Sequence, residues 1–279
     1  MDRRKFIKMA TPVSLLLAGG KWIDVDAEDL SSSYSRKKVL RFVVASDGHY
    51  GQKDTDYVSY YRNCIQRINE LHREQPFDLT VINGDIIHDD PAFFTPAKQA
   101  LDGLDMNYFV SQGNHDHCTR EDWQQLWGMP VNHDFKVGKN SFLIATSSDH
   151  KGTYLCPDLD WMEATLDRHR SQENIFLFIH INPMGQTANA VQCAALTGIL
   201  SKHKNIRAVF NGHDHDQDGI KMQGNIPFIF DAHFGGSWGT AYKGFRVVEL
   251  LRDNSIATYI MDPVQRLNPF TLQKEKHTV

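Results

Sequence analysis

The chain has 279 residues, 41 % of them hydrophobic and 23 % charged, an ordinary balance for a globular protein with room for one large α/β domain. Its formal net charge is −4, from 30 Lys and Arg against 34 Asp and Glu. A duplex nucleic acid demands a basic surface to neutralise its phosphates, so no nucleic-acid partner is expected.

The N-terminus reads as a separate element. Arg3 and Arg4 are followed by Phe6, Ile7 and Lys8, and then by an apolar stretch from Met9 to Gly20. This arrangement resembles a bacterial twin-arginine export signal. Its apolar part, broken by Thr11, Pro12 and Ser14, is too short for a spanning helix, so no stable membrane anchor is expected. Small residues before position 28 place cleavage after Ala27. Residues 1–27 are therefore expected to address the chain to the twin-arginine export machinery, and the mature protein to be periplasmic or secreted. Residues 28–38, with Ser31 to Ser33 in a row and a basic run from Arg36 to Lys38, read as a polar linker.

The domain is expected over 39–262, with 263–279 as a C-terminal tail. Val39 to Ser46 is almost continuously apolar, as in a strand buried on both faces. Val58, Tyr61, Ile65, Ile68 and Leu71 recur at helical spacing and predict a helix over 57–71. Leu79 to Ile82 predicts a second strand, Pro96 to Leu104 a short helix, and Met106 to Val110 a third strand. Strand–helix–strand alternation argues for parallel pairing with right-handed crossovers. Glu121 to Trp127 predicts a helical turn. Phe135 to Val137 and Ser141 to Thr146, joined by Gly138, Lys139 and Asn140, predict a hairpin. Helices are predicted over 158–169 and 188–203, and strands over 175–179 and 206–210. Four short strands then follow, over 219–222, 227–231, 245–251 and 255–261, in an arrangement that reads as antiparallel. The class is α/β, with two mixed sheets packed face to face and helices outside.

Five of these strands end on the same chemistry. Asp47 and His49 follow the first, Asp85 the second, Asn114 and His115 the third. His180 follows the strand over 175–179, and His213 and His215 follow the one over 206–210. Ligands of open α/β sheets gather at the carboxyl ends of strands, which places all five groups at one edge. Imidazole mixed with carboxylate suits Zn, Fe or Mn.

The ordered set Asp47-Gly48-His49, Gly84-Asp85, Gly113-Asn114-His115-Asp116, a lone His180 and Gly212-His213-Asp214-His215 resembles the five blocks of the calcineurin-like metallophosphoesterases. The blocks span residues 47 to 215. The resemblance implies a four-layer α-β-β-α sandwich and a hydrolase of phosphate esters that uses two divalent or trivalent metal ions. It assigns Asp47, His49 and His215 to the first metal and Asn114, His180 and His213 to the second, with Asp85 bridging. It implies attack by a metal-bridging hydroxide, formed because metal binding lowers the pKa of water from about 15.7 towards 7. His115 would donate a proton to the leaving alkoxide or stabilise the phosphoryl oxygen. The pattern is closest to the branch of bacterial cyclic-nucleotide and glycerophosphodiester phosphodiesterases, so a small phosphodiester substrate is expected. The alternatives are a broad-range phosphomonoesterase and a catalytically silent scaffold of the same fold.

The chain departs from the protein-phosphatase branch. Three places after Asp85, where that branch has Asp, stands His88, and Asp89, Asp90 and Pro91 follow in place of Asp-Arg-Gly. This argues against a protein Ser/Thr phosphatase and leaves His88, Asp89 or neither to orient His115. Cys64, Cys118, Cys156 and Cys193 show no Cys-x-x-Cys spacing, so a cysteine zinc site is not expected; which of them pair is open. Asp116 and His117 read as turn residues or substrate contacts. His133, His150, His169 and His203 fall in polar, surface-like surroundings. The glycine-rich stretch with His233, Trp238 and Tyr242 reads equally as a pocket wall or as core packing, and Tyr50 or Tyr242 as a stacking partner for a base or sugar has no support beyond residue type.

Overall fold

A computed structural model describes residues 13–17, 21–25 and 38–273. The twin-arginine pair, the cleavage point after Ala27 and the linker before Lys38 lie outside the described residues. Strands β1 (Val13–Leu17) and β2 (Lys21–Val25) pair as an antiparallel ribbon. No helix among the described residues is long and apolar enough to cross a membrane.

The domain begins with β3 (Lys38–Ala45). Its side chains alternate between two cores, Phe42 and Val44 into one, Val43 and Ala45 into the other. Helix α1 (Tyr57–Glu74) starts where the Asp56 carboxylate accepts the Ser59 amide, and it buries Tyr61, Cys64, Ile68 and Leu71. Strand β4 (Leu79–Asn83) pairs parallel with β3. A single 3₁₀ turn over Pro91–Phe93, capped by Asp90, leads into α2 (Phe94–Leu101). This helix starts and stops a few residues before the span predicted from sequence. Strand β5 (Tyr108–Ser111) pairs parallel with β4, and α3 (Arg120–Trp127), capped by Thr119, ends on Gly128 at φ 73°.

The second half repeats the plan. Strands β6 (His133–Val137) and β7 (Asn140–Ala145) form the expected hairpin. Helix α4 (Leu159–Arg168), β8 (Asn174–Ile179), α5 (Ala194–Ser201) and β9 (Ile206–Asn211) follow. Helix α5 is half the predicted length. Asn182 draws the amides of Met184 and Gln186 onto its side-chain oxygen, and a Cys156–Cys193 disulfide pins residue 193, so 182–193 is a bound loop. Strands β10 (Ile220–Gln223), β11 (Ile226–Phe230), β12 (Phe245–Leu251), β13 (Ile256–Met261) and β14 (Arg266–Leu272) complete the chain. Two readings are corrected here. Strand β11 lies parallel to β9, not antiparallel throughout, and part of the supposed tail pairs with β13 as β14.

One sheet runs β14-β13-β12-β3-β4-β5 and the other β10-β11-β9-β8-β7-β6. Between them Phe42 meets Phe142, Phe176 and Phe210 edge-on at 5.2–5.8 Å. Helices α1 to α3 cover the outer face of the first sheet, and α4 and α5 that of the second. The result is the α-β-β-α sandwich, with the carboxyl ends of β3, β4, β5, β8 and β9 at one edge.

Candidate metal centre

Each strand end needs a sharp turn to aim its side chain across the sheet edge. Asp47, His49, Asp85 and His213 make it in the left-handed region, with φ of 59°, 46°, 50° and 65°. Asp, Asn and His tolerate that region better than bulkier residues, and such strain gathers at functional sites. Backbone bonds between strand ends hold the turns: Asp47 N–H donates to Gly84 O, His49 N–H to Asp85 O, and Gly212 N–H to His180 O.

Two groups of ligand atoms result, each within 4.8 Å: Asp47, His49 and His215, and Asp85, His180 and His213; a third, partly buried group, His49, His88 and His115, lies at the rim. All six residues of the first two groups are buried. Asp85 Oδ2 lies 3.7 Å from His49 Nε2 and 3.2 Å from His180 Nε2, so one carboxylate oxygen faces both groups. Its Oδ1 accepts the His115 amide at 2.8 Å. The Asp47 carboxylate accepts the amide of His213 at 2.9 Å and the Ser46 hydroxyl.

The donors fit cations. His180 Nδ1–H donates to Asn83 O at 2.7 Å, which leaves Nε2 as a lone pair facing the Asp85 carboxylate. His215 Nδ1–H donates to Trp238 O at 3.2 Å, which leaves Nε2 facing Asp47 Oδ1 at 3.1 Å and His49 Nε2 at 3.0 Å. Acceptors meeting acceptors in a buried space repel unless a cation or proton lies between them. His180 Nε2, His213 Nε2 and Asn114 Oδ1 are buried without a hydrogen-bond partner. Leaving such an atom bare costs about 1–3 kcal/mol, and metal ligation relieves it.

Electrostatics agree. Burial lowers the His180 pKa, but the Asp85 and Asp47 carboxylates override it and raise it to about 10. Burial wins at His49, lowered to about 3 despite the same carboxylates. Burial raises Asp85, yet the neighbouring His180 and His49 hold it well below the usual carboxylate range.

His115 stands at the rim, one-third exposed. Its Nδ1–H donates to Asp89 Oδ1 at 2.7 Å. His88, which stands where the protein-phosphatase branch has its orienting Asp, instead places its Nδ1 3.0 Å from His49 Nδ1 and stacks on His115 at 4.6 Å. His88 therefore braces His49 from outside, an imidazole in the place where a carboxylate or carbonyl commonly stands. Asp116 accepts the amides of Ile87 and Gly113 and is a turn residue, its pKa raised to about 7, chiefly by burial.

Several readings change. Burial takes His169 and His203 out of the surface class; His169 bonds Ser141 and Asp134, at 2.7 and 2.6 Å. Tyr50 packs with Tyr57, Tyr61 and Phe93, and the Tyr242 hydroxyl donates to Asp218, so both side chains already have partners within the fold. The 233–239 stretch packs: Phe234 is buried in the core that takes Val43 and Ala45. His233 is buried and stacks on one face of His215 at 4.7 Å, and Trp238 stacks on the other at 4.4 Å. Gly236 lies so close that a Cβ would sit 2.7 Å from His215 Cε1. Sequence reasoning also missed Tyr154, which meets His213 edge-on at 4.9 Å. Cys64 and Cys118 are free and buried.

The profile of the calcineurin-like phosphoesterase family matches residues 40–217. A probable cyclic nucleotide phosphodiesterase of Fibrobacter succinogenes is 23 % identical over 217 residues, covering 71 % of this chain and 81 % of that one. Among solved structures, a dimetal phosphatase from Danio rerio superposes with a TM-score of 0.67 at 14 % identity, over 86 % of this chain and all of the other. GAP50, the anchor in the inner membrane complex of Plasmodium, superposes with a TM-score of 0.60 at 15 % identity, over 87 % and 91 % of the two chains.

Proposed function

Because this chain belongs to the calcineurin-like phosphoesterase family, whose members are binuclear metal-dependent hydrolases of phosphoric esters, we propose that it is an exported phosphodiesterase. The observation that carries the catalytic reading is the pair of buried ligand groups that share the Asp85 carboxylate. A silent scaffold has no use for His180 Nε2 and His213 Nε2 left bare beside the Asp85 carboxylate. The diester preference is supported by the Fibrobacter relative's name, and His88, Asp89 and Asp90, standing where the protein-phosphatase motif does not fit, argue against a protein Ser/Thr phosphatase. Export is supported by the paired arginines near the N-terminus and by the Cys156–Cys193 disulfide, a bond that persists in oxidising compartments.

Asp47, His49 and His215 would hold one ion and Asn114, His180 and His213 the other, with Asp85 between them. Fe, Mn or Zn suits these ligands. Bound there, such ions would offset the negative charge of the phosphoryl oxygens and lower the pKa of the attacking water. The chain's residues do the rest. The Asn83 and Trp238 carbonyls fix the tautomers of His180 and His215. The His213 amide holds the Asp47 carboxylate in place, and the His115 amide that of Asp85. Asp89 holds a proton on His115 Nδ1, so Nε2 is the atom that carries a proton to the departing alkoxide.

Initial rates of the metal-reconstituted protein on an aryl phosphodiester and an aryl phosphomonoester, each repeated for Asp85→Asn, test this. Faster diester turnover that vanishes in the variant is expected. A faster monoester would hand the case to the phosphomonoesterase reading. Turnover of both that survives Asp85→Asn would remove the shared carboxylate from the mechanism.

A further inference from the structure

Seven large hydrophobic residues are exposed among the described residues, and two of them are aromatic, Tyr154 and Trp238. Single exposed apolar side chains are commonplace. These two are unusual in place: each lies against a metal-type histidine. Trp238, 47 % exposed, lies flat on His215, with ring planes 4° apart. Tyr154, 44 % exposed, stands edge-on to His213, with ring planes 90° apart. His215 belongs to the first ligand group and His213 to the second, so the two aromatics border both halves of the centre.

Both are held in place by loop structure on either side of the centre. Gly236 and Gly239, at φ 76° and 106°, bring the loop against His215, and Thr240 N–H donates to His215 O at 3.0 Å. On the other side, Asp149 Oδ1 accepts the amides of Lys151 and Thr153, and Leu155 N–H donates to Ser147 O. The Cys156–Cys193 disulfide then anchors the chain two residues after Tyr154. An aromatic side chain fixed in place loses little entropy when a second ring stacks on it.

We propose that Tyr154 and Trp238 are the walls of a specificity cleft that takes the planar aromatic group of a phosphate ester while the metal centre takes its phosphorus. The inference rests on the phosphoesterase reading for the second half of that sentence alone. A nucleoside and a simple aryl group share the chemistry. Inorganic phosphate and alkyl esters lack it.

The test is equilibrium binding to the metal-loaded protein, by calorimetry and by tryptophan fluorescence, of three phosphonates that cannot be hydrolysed at the P–C bond: methylphosphonate, phenylphosphonate and the methylenephosphonate analogue of adenosine monophosphate. Stacking on an aromatic platform makes the ring-bearing probes bind about fivefold or more tighter than methylphosphonate. Tyr154→Ala and Trp238→Ala each reduce that ratio, Trp238→Phe retains most of it, and the fluorescence response is lost with Trp238. A preference for the adenosine probe over phenylphosphonate assigns the cleft to nucleosides, and the reverse assigns it to aryl groups. Equal binding of methyl- and phenylphosphonate by the unaltered protein would overturn the proposal. So would a parallel loss of all three probes together with bound metal in Trp238→Ala, because Trp238 would then only brace His215. A protein that shows the ring preference but hydrolyses no phosphate ester would sink the phosphodiesterase reading and leave the cleft standing.

Discussion

Replacing Asp89 by Asn removes a negative charge 2.7 Å from His115 Nδ1 while leaving an oxygen in the same place. A hydrogen bond to a charged group contributes about 1.5–3 kcal/mol when well shielded. Asp89 is 51 % exposed, so solvent screening puts the expected effect at the lower end, about 1.5 kcal/mol or a tenfold change in rate. The loss should depend on the leaving group. An alkoxide needs a proton to depart, and a 4-nitrophenolate does not. Saturating initial rates of Asp89→Asn on an alkyl phosphodiester should therefore fall about tenfold, with far less change on bis(4-nitrophenyl) phosphate. The KM values and the metal content should hold. Equal losses on both substrates, or none on the alkyl ester, would refute the assignment of Asp89 as the residue that positions His115.

Other perturbations follow from the same geometry. Cys156→Ser opens a disulfide spanning 37 residues, and the loop-entropy relation gives about 4 kcal/mol of lost stability; urea unfolding without reductant reads it, and a negligible shift would contradict the bond. Gly236→Ala forces a Cβ to 2.7 Å from His215 Cε1 at a φ of 76°, so the purified variant should carry less metal than the parent by elemental analysis. Asp134 accepts from His169 at 2.6 Å and from Arg168 at 2.8 Å. Burial raises its pKa, but these partners outweigh it and hold the carboxyl below its ordinary value. A depressed carboxylate contributes stability that is present above the unfolded pKa and lost as pH falls through the folded one. Asp134→Ala should therefore cost about 1–2 kcal/mol near neutral pH, and the gap in urea midpoint should close below about pH 4.

The parts of this molecule that repeat along the chain could be read from it. Strand β3 shows its double burial in an unbroken apolar run, and the five strand ends show their chemistry because Asp, Asn and His follow such runs directly. What escaped depends on distant neighbours or on backbone angles. Pro269, after Asn268, punctuates the C-terminal stretch like a tail, yet an edge strand tolerates proline, and β14 forms on the free side of β13. His203 looked solvated beside Lys202 and Lys204, but it is buried where α5 ends. His88 held the position of the expected orienting residue, and the left-handed turn at Asp89, φ 63°, gave that role to the next residue instead. Tyr154 carried no periodic or motif signal at all. It stands edge-on to His213, two residues before Cys156, whose pairing with Cys193 spacing alone leaves open.

The central claim is that seven side chains from five strand ends hold two ions through one shared carboxylate. Metal stoichiometry of the reconstituted protein, measured by elemental analysis beside Asp85→Asn, tests it most directly. Two ions per chain in the parent, falling to one or fewer in the variant, is the predicted result. A parent that binds one ion or none, or an Asp85→Asn variant that still binds two, would contradict it.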